Sequence, residues 1–327
     1  MLLSKKKLVF ITFALVVIFF ILLMNLPESI IGDRGDHILL FAPQVLFLAI
    51  TAAIVLVAIL ALIFKRDYLK SQLYTFNKFK YYLGLLIKRD FVRKYRKSIL
   101  GVLWSFLNPL LTMLVMTFVF SHLFRQNIPN FPVYVFSGQL IFNFFQESTT
   151  LAMNSIISSE GVIKKVYVPK YIFPLSRVLS SVINLLFTFI AFILVFTVTG
   201  SEFYWTMVLI PIPLIYLFIF SLGVAMLMSS LSVFFRDLTY IYGVFTLMLF
   251  FLTPIMYYHP TTIPERFLGI YGMNPLFQFL QYFRSVAMEG VVPDLWTNLV
   301  CLGLALTSLC VGTFVFMRQQ DKYILSL

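Results

Sequence analysis

Val178-Leu179-Ser180-Ser181-Val182-Ile183-Asn184-Leu185-Leu186-Phe187-Thr188-Phe189-Ile190-Ala191-Phe192-Ile193-Leu194-Val195-Phe196-Thr197-Val198-Thr199 carries no ionised side chain along its whole length. A helix needs about 20 apolar residues to cross about 30 Å of hydrocarbon, and this stretch supplies them. Its apolar residues are continuous rather than alternating, which favours a membrane helix over a barrel strand. Outward from it the pattern recurs at Leu8–Met24, Ile38–Phe64, Ile99–Phe124, Phe131–Ile157, Phe203–Phe235, Leu238–Tyr258 and Leu295–Met317. The sequence therefore predicts an all-α integral membrane protein with about eight transmembrane helices. Composition agrees. Hydrophobic residues make up 61% of the 327 and charged residues 12%, against about 45–50% and about 25% in soluble domains. Mean hydropathy is +0.95.

A weaker apolar segment, Phe267–Met288, is interrupted by Asn274, Pro275, Gln278, Gln281 and Arg284. It reads as a re-entrant or interfacial piece on the outer side rather than a full span. The first run follows Lys5, Lys6 and Lys7 in the manner of a secretory signal. Asn25-Leu26-Pro27-Glu28 offers no small-x-small cleavage site, so the run is expected to remain as a signal anchor. With the amino terminus in the cytoplasm, all 25 Lys and Arg residues fall on the cytoplasmic side except Arg34, Arg125, Arg266 and Arg284. This positive-inside bias predicts a multi-pass protein of the cytoplasmic (inner) membrane with both termini in the cytoplasm. It also accounts for most of the net charge of +12, so no nucleic-acid partner is expected.

Several chemistries are disfavoured. Cys301 and Cys310 share one apolar run, and His37, His122 and His259 are scattered without metal-ligand spacing, so no metal is expected. No Gly-x-x-x-x-Gly-Lys-Ser/Thr loop is present to cradle ATP, and no cofactor is expected on this chain. A glycan polymerase or glycosyltransferase needs gathered acid and base groups. Glu265, Arg266, Arg284, Glu289 and Asp294 are too sparse for that, so the chain reads as no enzyme.

Three segments are not simple spans. Residues 65–98 combine a run of Lys and Arg with Leu69, Leu73, Phe76, Phe79, Leu83, Leu86, Ile87 and Phe91 at three- and four-residue steps. A helix there has one apolar and one basic face, suited to the membrane surface and its anionic lipids. The loop Ser158–Tyr171 is short, basic and partly apolar, punctuated by Pro169, with Pro174 close beyond it; it reads either as a turn or as a surface that docks another protein. Phe131–Ile157 is rich in polar residues, among them Gln139, Asn143, Gln146, Glu147, Ser148, Thr149, Thr150 and Asn154. Such groups avoid lipid and face a bundle interior, a partner or water. Glu147 lines a pathway in one reading and serves as a structural hydrogen-bonding group in the other. Phe142, Phe144 and Phe145 sit beside these polar positions, while Tyr257, Tyr258 and Tyr271 cluster near the outer end. Aromatic walls of that kind suit the C–H faces of sugars.

Together these stretches carry a resemblance. Leu86-Ile87-Lys88-Arg89-Asp90-Phe91-Val92-Arg93-Lys94-Tyr95-Arg96-Lys97-Ser98-Ile99-Leu100-Gly101-Val102-Leu103-Trp104, running into Asn108-Pro109-Leu110, resembles the amphipathic helix and first span of ABC type-2 permeases that export polysaccharides such as O-antigen and teichoic acid. Lys164-Lys165-Val166-Tyr167-Val168-Pro169 is similar to that group's cytoplasmic coupling segment. Phe235-Arg236-Asp237-Leu238, Thr253-Pro254-Ile255-Met256-Tyr257, Asn274-Pro275-Leu276 and Tyr282-Phe283-Arg284 follow in the same order, so the likeness runs from about residue 80 to the end.

The resemblance implies a six-span core over residues 99–327, with Phe267–Met288 as a re-entrant element before the last span. Residues 1–64 then form an additional pair of membrane helices that such a core does not need. It further implies a homodimer with a channel at its interface, two copies of a separate ATPase that bind ATP and Mg, and a lipid-diphosphate-linked polysaccharide as cargo among the membrane lipids. Arg93, Tyr95 and Arg96 are the candidates for the anionic headgroup. Phe142, Asn143, Phe145, Gln146, Glu147, Tyr257 and Tyr258 are the candidates for the channel wall. Val162, Lys164, Lys165, Val166, Tyr167, Pro169 and Lys170 are the candidates for ATPase coupling. A type-2 exporter of drugs or lipids is the alternative within the same class.

Overall fold

The computed structural model describes residues 66–95, 98–120, 128–257 and 274–323. The expected spans Leu8–Met24 and Ile38–Phe64 lie outside these residues, as do Arg96, Tyr258, the side chain of Tyr95 and the first part of Phe267–Met288. The chain divides into two compact units, Met1–Leu69 and Lys70–Leu327. The described residues fall almost wholly in the second.

Among the described residues all regular structure is helical. The α-helices are α1 (Arg66–Tyr95), α2 (Trp104–Phe118), α3 (Phe131–Met153), α4 (Glu160–Ile163), α5 (Ile172–Val198), α6 (Pro211–Phe234), α7 (Leu238–Leu252), α8 (Pro275–Ala287) and α9 (Leu295–Gln319). Four stretches among the described residues are long and apolar enough to cross a membrane: Gly101–Phe118, Ile172–Val198, Trp205–Phe234 and Leu295–Lys322. This is a multi-pass membrane bundle.

Helix α1 follows from its sequence period. Leu83 and Leu86 are buried and Phe79, Tyr82 and Ile87 are partly so, while Lys78, Lys80, Lys88, Arg93 and Lys94 are exposed on the other face. The apolar face joins a cluster with Ile156, Ile163, Val168, Ile172 and Phe173, and with Met226, Val233, Phe316 and Tyr323. The middle of α1, the 160–171 loop and the end of the last helix thus share a single core. Gly101, at φ +49, lets the chain turn sharply from α1 into α2.

Helix α3 is the interior element, packed against α2, α5, α6, α7 and α8. It has 23 residues, about 35 Å at 1.5 Å per residue, so it is long enough to span. Its polarity keeps it out of the apolar set, and its position explains that polarity. Ser137, Gln139, Ser148 and Thr149 are all buried within the bundle rather than facing lipid.

Helices α6 and α9 cross at closest range. A Cβ on Gly312 would lie 1.9 Å from the Gly223 carbonyl oxygen, and one on Gly223 would lie 2.2 Å from the Ser308 backbone. Only glycine lets the two backbones approach so closely. The Ser308 hydroxyl donates to the Phe220 carbonyl at 2.9 Å, and Ser230 Oγ donates to Gln319 Oε1 at 2.7 Å.

Helix α8 has 13 residues, about 20 Å, shorter than the hydrocarbon layer. Asn274 caps it by accepting from the Leu276 N–H at 3.0 Å. The Asn274 amide donates to Thr253 Oγ1 at 3.0 Å, which ties the start of α8 to the end of α7. By contrast α7 buries only Tyr242 and Thr246; Tyr240, Ile241, Val244, Leu247, Met248 and Phe251 stay exposed.

Candidate functional site

The polar face of α3 opens onto a cleft of about 790 Å³. Asn143, Gln146, Glu147 and Thr150 lie at steps of three, one and three, so one helix face carries all four. Helix α2 contributes Trp104, Ser105, Asn108 and Thr112, and α5 contributes Asn184 and Thr188, one turn apart. Nearly every polar group here is a neutral amide or hydroxyl. A second, smaller cleft of about 430 Å³ lies beside it, lined by Asp90, Phe91, Arg93, Arg177 and Ser180. Lys94, Glu147, Leu151 and Asn184 line both.

Two ion pairs tie the end of α1 to the bundle at this point. Arg177 Nη1 lies 2.9 Å from Asp90 Oδ2, with side-chain exposures of 14% and 6%. Lys94 Nζ lies 2.7 Å from Glu147 Oε1, with exposures of 47% and 28%. The Asn184 amide donates to that same Glu147 oxygen at 2.7 Å. Glu147 therefore both lines a cleft and holds structural partners. Its lysine lies on another element, which the sequence read along the chain did not pair with it.

The other expected wall residues are divided by the helical period. Phe142 and Phe145 are 2% exposed and turn into the bundle, Phe142 against Phe250 and Phe145 against Phe220, with ring centroids 5.1 and 5.7 Å apart. Their face centres about a third of a turn from that of Asn143, Gln146 and Glu147, and neither ring lines the cleft. Tyr257 lies past the end of α7, its carbonyl accepting from Tyr134 Oη at 2.9 Å.

Arg93 is exposed and lines the smaller cleft. In the 160–171 loop, Lys164, Lys165, Val166 and Tyr167 are exposed; Tyr167 reaches 90%. Val162 and Pro169 are half-buried. Lys164 pairs with Glu160 at 2.5 Å across one turn. Lys170 is turned inward: its ammonium donates to the Gln320 carbonyl at 2.5 Å and sits 5.8 Å from the Tyr323 ring centroid. It binds the loop to the end of α9.

Arg284 is a further residue whose role the sequence did not reveal. The charge distribution gives only its side of the membrane; in the bundle it is 7% exposed. Nε donates to Ser137 Oγ at 3.0 Å, Nη1 to the Pro254 carbonyl at 2.8 Å and Nη2 to the Tyr134 carbonyl at 2.9 Å. The guanidinium also stacks on Tyr134, 3.5 Å from the ring centroid. This is a buried cation held by neutral dipoles and a π face, which fastens α8 to α3 and to the turn after α7.

Comparison with known proteins bears on this arrangement. Residues 81–288 match the membrane-domain model described as ABC-2 type transporter. The chain belongs to that family. Among its relatives is the O-antigen export system permease protein RfbA of Klebsiella pneumoniae, 32% identical over 258 residues, covering 75% of this chain and 97% of the relative. The protein of the same name from Myxococcus xanthus is 28% identical over 246 residues, covering 74% and 95%. The polysialic acid transport protein KpsM of Escherichia coli is 21% identical over 245 residues, covering 74% and 94%. The chain is thus a membrane permease of the ABC-2 type and not an enzyme in its own right.

Proposed function

We propose that this chain is the membrane permease of an ATP-driven exporter that moves a lipid-linked polysaccharide, an O-antigen or a similar cell-surface glycan, across the cytoplasmic membrane. The observation that carries the reading is the lining of the larger cleft. Asn108, Thr112, Asn143, Gln146, Thr150 and Asn184 offer donors and acceptors in quantity, with Trp104 beside them and one ion pair. Glycan hydroxyls exchange hydrogen bonds along such a wall, while the scarcity of charge leaves nothing to hold them tightly. The names of the relatives agree with that cargo.

In this reading the core has six spans (α2, α3, α5, α6, α7 and α9), with α8 re-entrant on the outer side and residues 1–64 adding two more. The exposed apolar faces of α2 and α7 and the open cleft support a homodimer, with the glycan passing between the copies. Helix α1 lies on the cytoplasmic surface, where Arg93, Tyr95 and Arg96 meet the diphosphate headgroup. The apex Lys164-Lys165-Val166-Tyr167 docks on one of two copies of an ATPase subunit that binds ATP and Mg. Both termini are cytoplasmic.

Deleting the chain from its host is expected to strip long polysaccharide from the cell surface while lipid-linked polymer accumulates inside. Unchanged surface polymer would overturn the reading. Reversing charge at Lys164 and Lys165 is expected to abolish co-purification of the ATPase; full retention would move the docking surface elsewhere.

A further inference from the structure

We propose that the Lys94–Glu147 pair is the charge-selective element of the cleft, a displaceable counter-ion arrangement that admits cargo bearing a diphosphate. The inference rests on the export reading above and deepens it. The pair stands on the boundary between two unlike compartments. One is the smaller cleft, with Arg93 and Arg177 in its wall; the other is the larger cleft of neutral amides and hydroxyls. Lys94, Glu147, Leu151 and Asn184 belong to both, so whatever passes from one to the other passes this pair.

The two ion pairs at the end of α1 differ in what they permit. Asp90–Arg177 is nearly buried, at 6% and 14% exposure, and acts as the fixed anchor of α1 on α5. Lys94–Glu147 is open to water at 47% and 28%, so it is screened and weak. A diphosphate brings more negative charge and more acceptor oxygens than one carboxylate, and it takes the lysine by charge-assisted hydrogen bonds. Glu147 is not stranded when this happens, because the Asn184 amide remains on its Oε1 at 2.7 Å. Meanwhile Arg93, exposed in the wall of the smaller compartment, keeps it attractive to the arriving anion, while Arg177 stays paired with Asp90. A neutral lipid lacks the charge to displace Glu147 and leaves the boundary shut.

This exchange predicts effects of opposite sign. The full-length chain, purified with its ATPase and placed in nanodiscs, is titrated with undecaprenyl diphosphate, with inorganic pyrophosphate, and with uncharged undecaprenol. Glu147→Gln removes the competitor and keeps an amide for Asn184, so affinity for undecaprenyl diphosphate rises by about threefold or more. Lys94→Gln removes the recognised cation and lowers affinity by about tenfold. Lys94→Arg restores binding to within about twofold of the original, which separates loss of the charge from loss of the fold. A merely structural pair would weaken binding in both neutralised variants, and that result overturns the exchange while leaving polysaccharide export intact. Absence of diphosphate binding by the unaltered chain, in a host where export depends on it, overturns the diphosphate as the recognised group. Equal response to pyrophosphate and to the lipid assigns recognition to the phosphates alone, as proposed; response to undecaprenol at the same strength overturns charge selection.

Discussion

Arg284 and Lys94 are both cations placed against α3, and they stand in opposite circumstances. Arg284 is buried and surrounded by carbonyls and a hydroxyl, with no carboxylate among the described residues hydrogen-bonded to it. Lys94 is about half exposed and faces a carboxylate. The intuitive ranking would make the full ion pair the stronger tie, but solvent reverses it. Water offers Lys94 and Glu147 a ready substitute, so breaking their contact costs little. The guanidinium's hydrogen bonds to Ser137 Oγ and to the Tyr134 and Pro254 carbonyls are buried, and losing charge-assisted bonds there is expensive. The clamp fastens α8 to α3 and to Pro254 just after α7, whereas the open pair lines the cleft that the proposed function assigns to cargo.

Removing the clamp is the largest test of this contrast. Arg284→Met removes three buried hydrogen bonds from a charged donor, to Ser137 Oγ and to the Tyr134 and Pro254 carbonyls, and is expected to cost about 3 kcal/mol or more. Arg284→Lys is expected to recover only part of it, since one ammonium lacks the planar fork. Thermal unfolding in detergent measures both, and a loss under about 1 kcal/mol for Arg284→Met would erase the distinction. Next comes the glycine seam. Gly312→Ala forces α6 and α9 apart and is expected to cost about 2 kcal/mol, read from the same melt together with the yield of folded protein. Disruption at that seam also shows whether the rigid part of the bundle extends beyond Arg284.

A smaller effect is expected at the start of α9. Asp294 accepts from the Thr297 backbone N–H at 3.0 Å and from the Thr297 hydroxyl, and these bonds hold its carboxyl below the usual carboxylate range. Asp294→Ala is expected to cost about 1 kcal/mol as a lost helix cap. A folded-state value below the unfolded one means the carboxylate contributes above about pH 4, its ordinary value. That contribution disappears as pH falls through the lower folded value. The wild type should therefore lose its advantage over the alanine variant only in acid, in paired melts across pH. Smallest of all is Lys94→Gln, expected to change stability by under about 1 kcal/mol. A loss as large as that of Arg284→Met would make the pair a second clamp.

Much of this molecule is legible along the chain because the governing rules are local. An uncharged apolar run such as Val178–Thr199 has to be a membrane helix, since hydrocarbon satisfies no backbone hydrogen bond. The three- and four-residue spacing in α1 dictates one apolar and one basic face, and the excess polarity of α3 dictates that it sits inside. The helical period gathers Asn143, Gln146 and Glu147 on one face, while packing against Phe250 and Phe220 turns Phe142 and Phe145 away from the cleft. What the chain alone could not supply are the partners. Lys94 meets Glu147 across 53 positions, Arg284 meets Tyr134 across 150, and Lys170 meets Gln320 across 150. Such meetings depend on how the helices cross, which is set by shape at places like the Gly223–Gly312 contact. Sequence determines which residues avoid lipid; only the packed bundle decides which of them are sealed in place and which are left open to water and exchange.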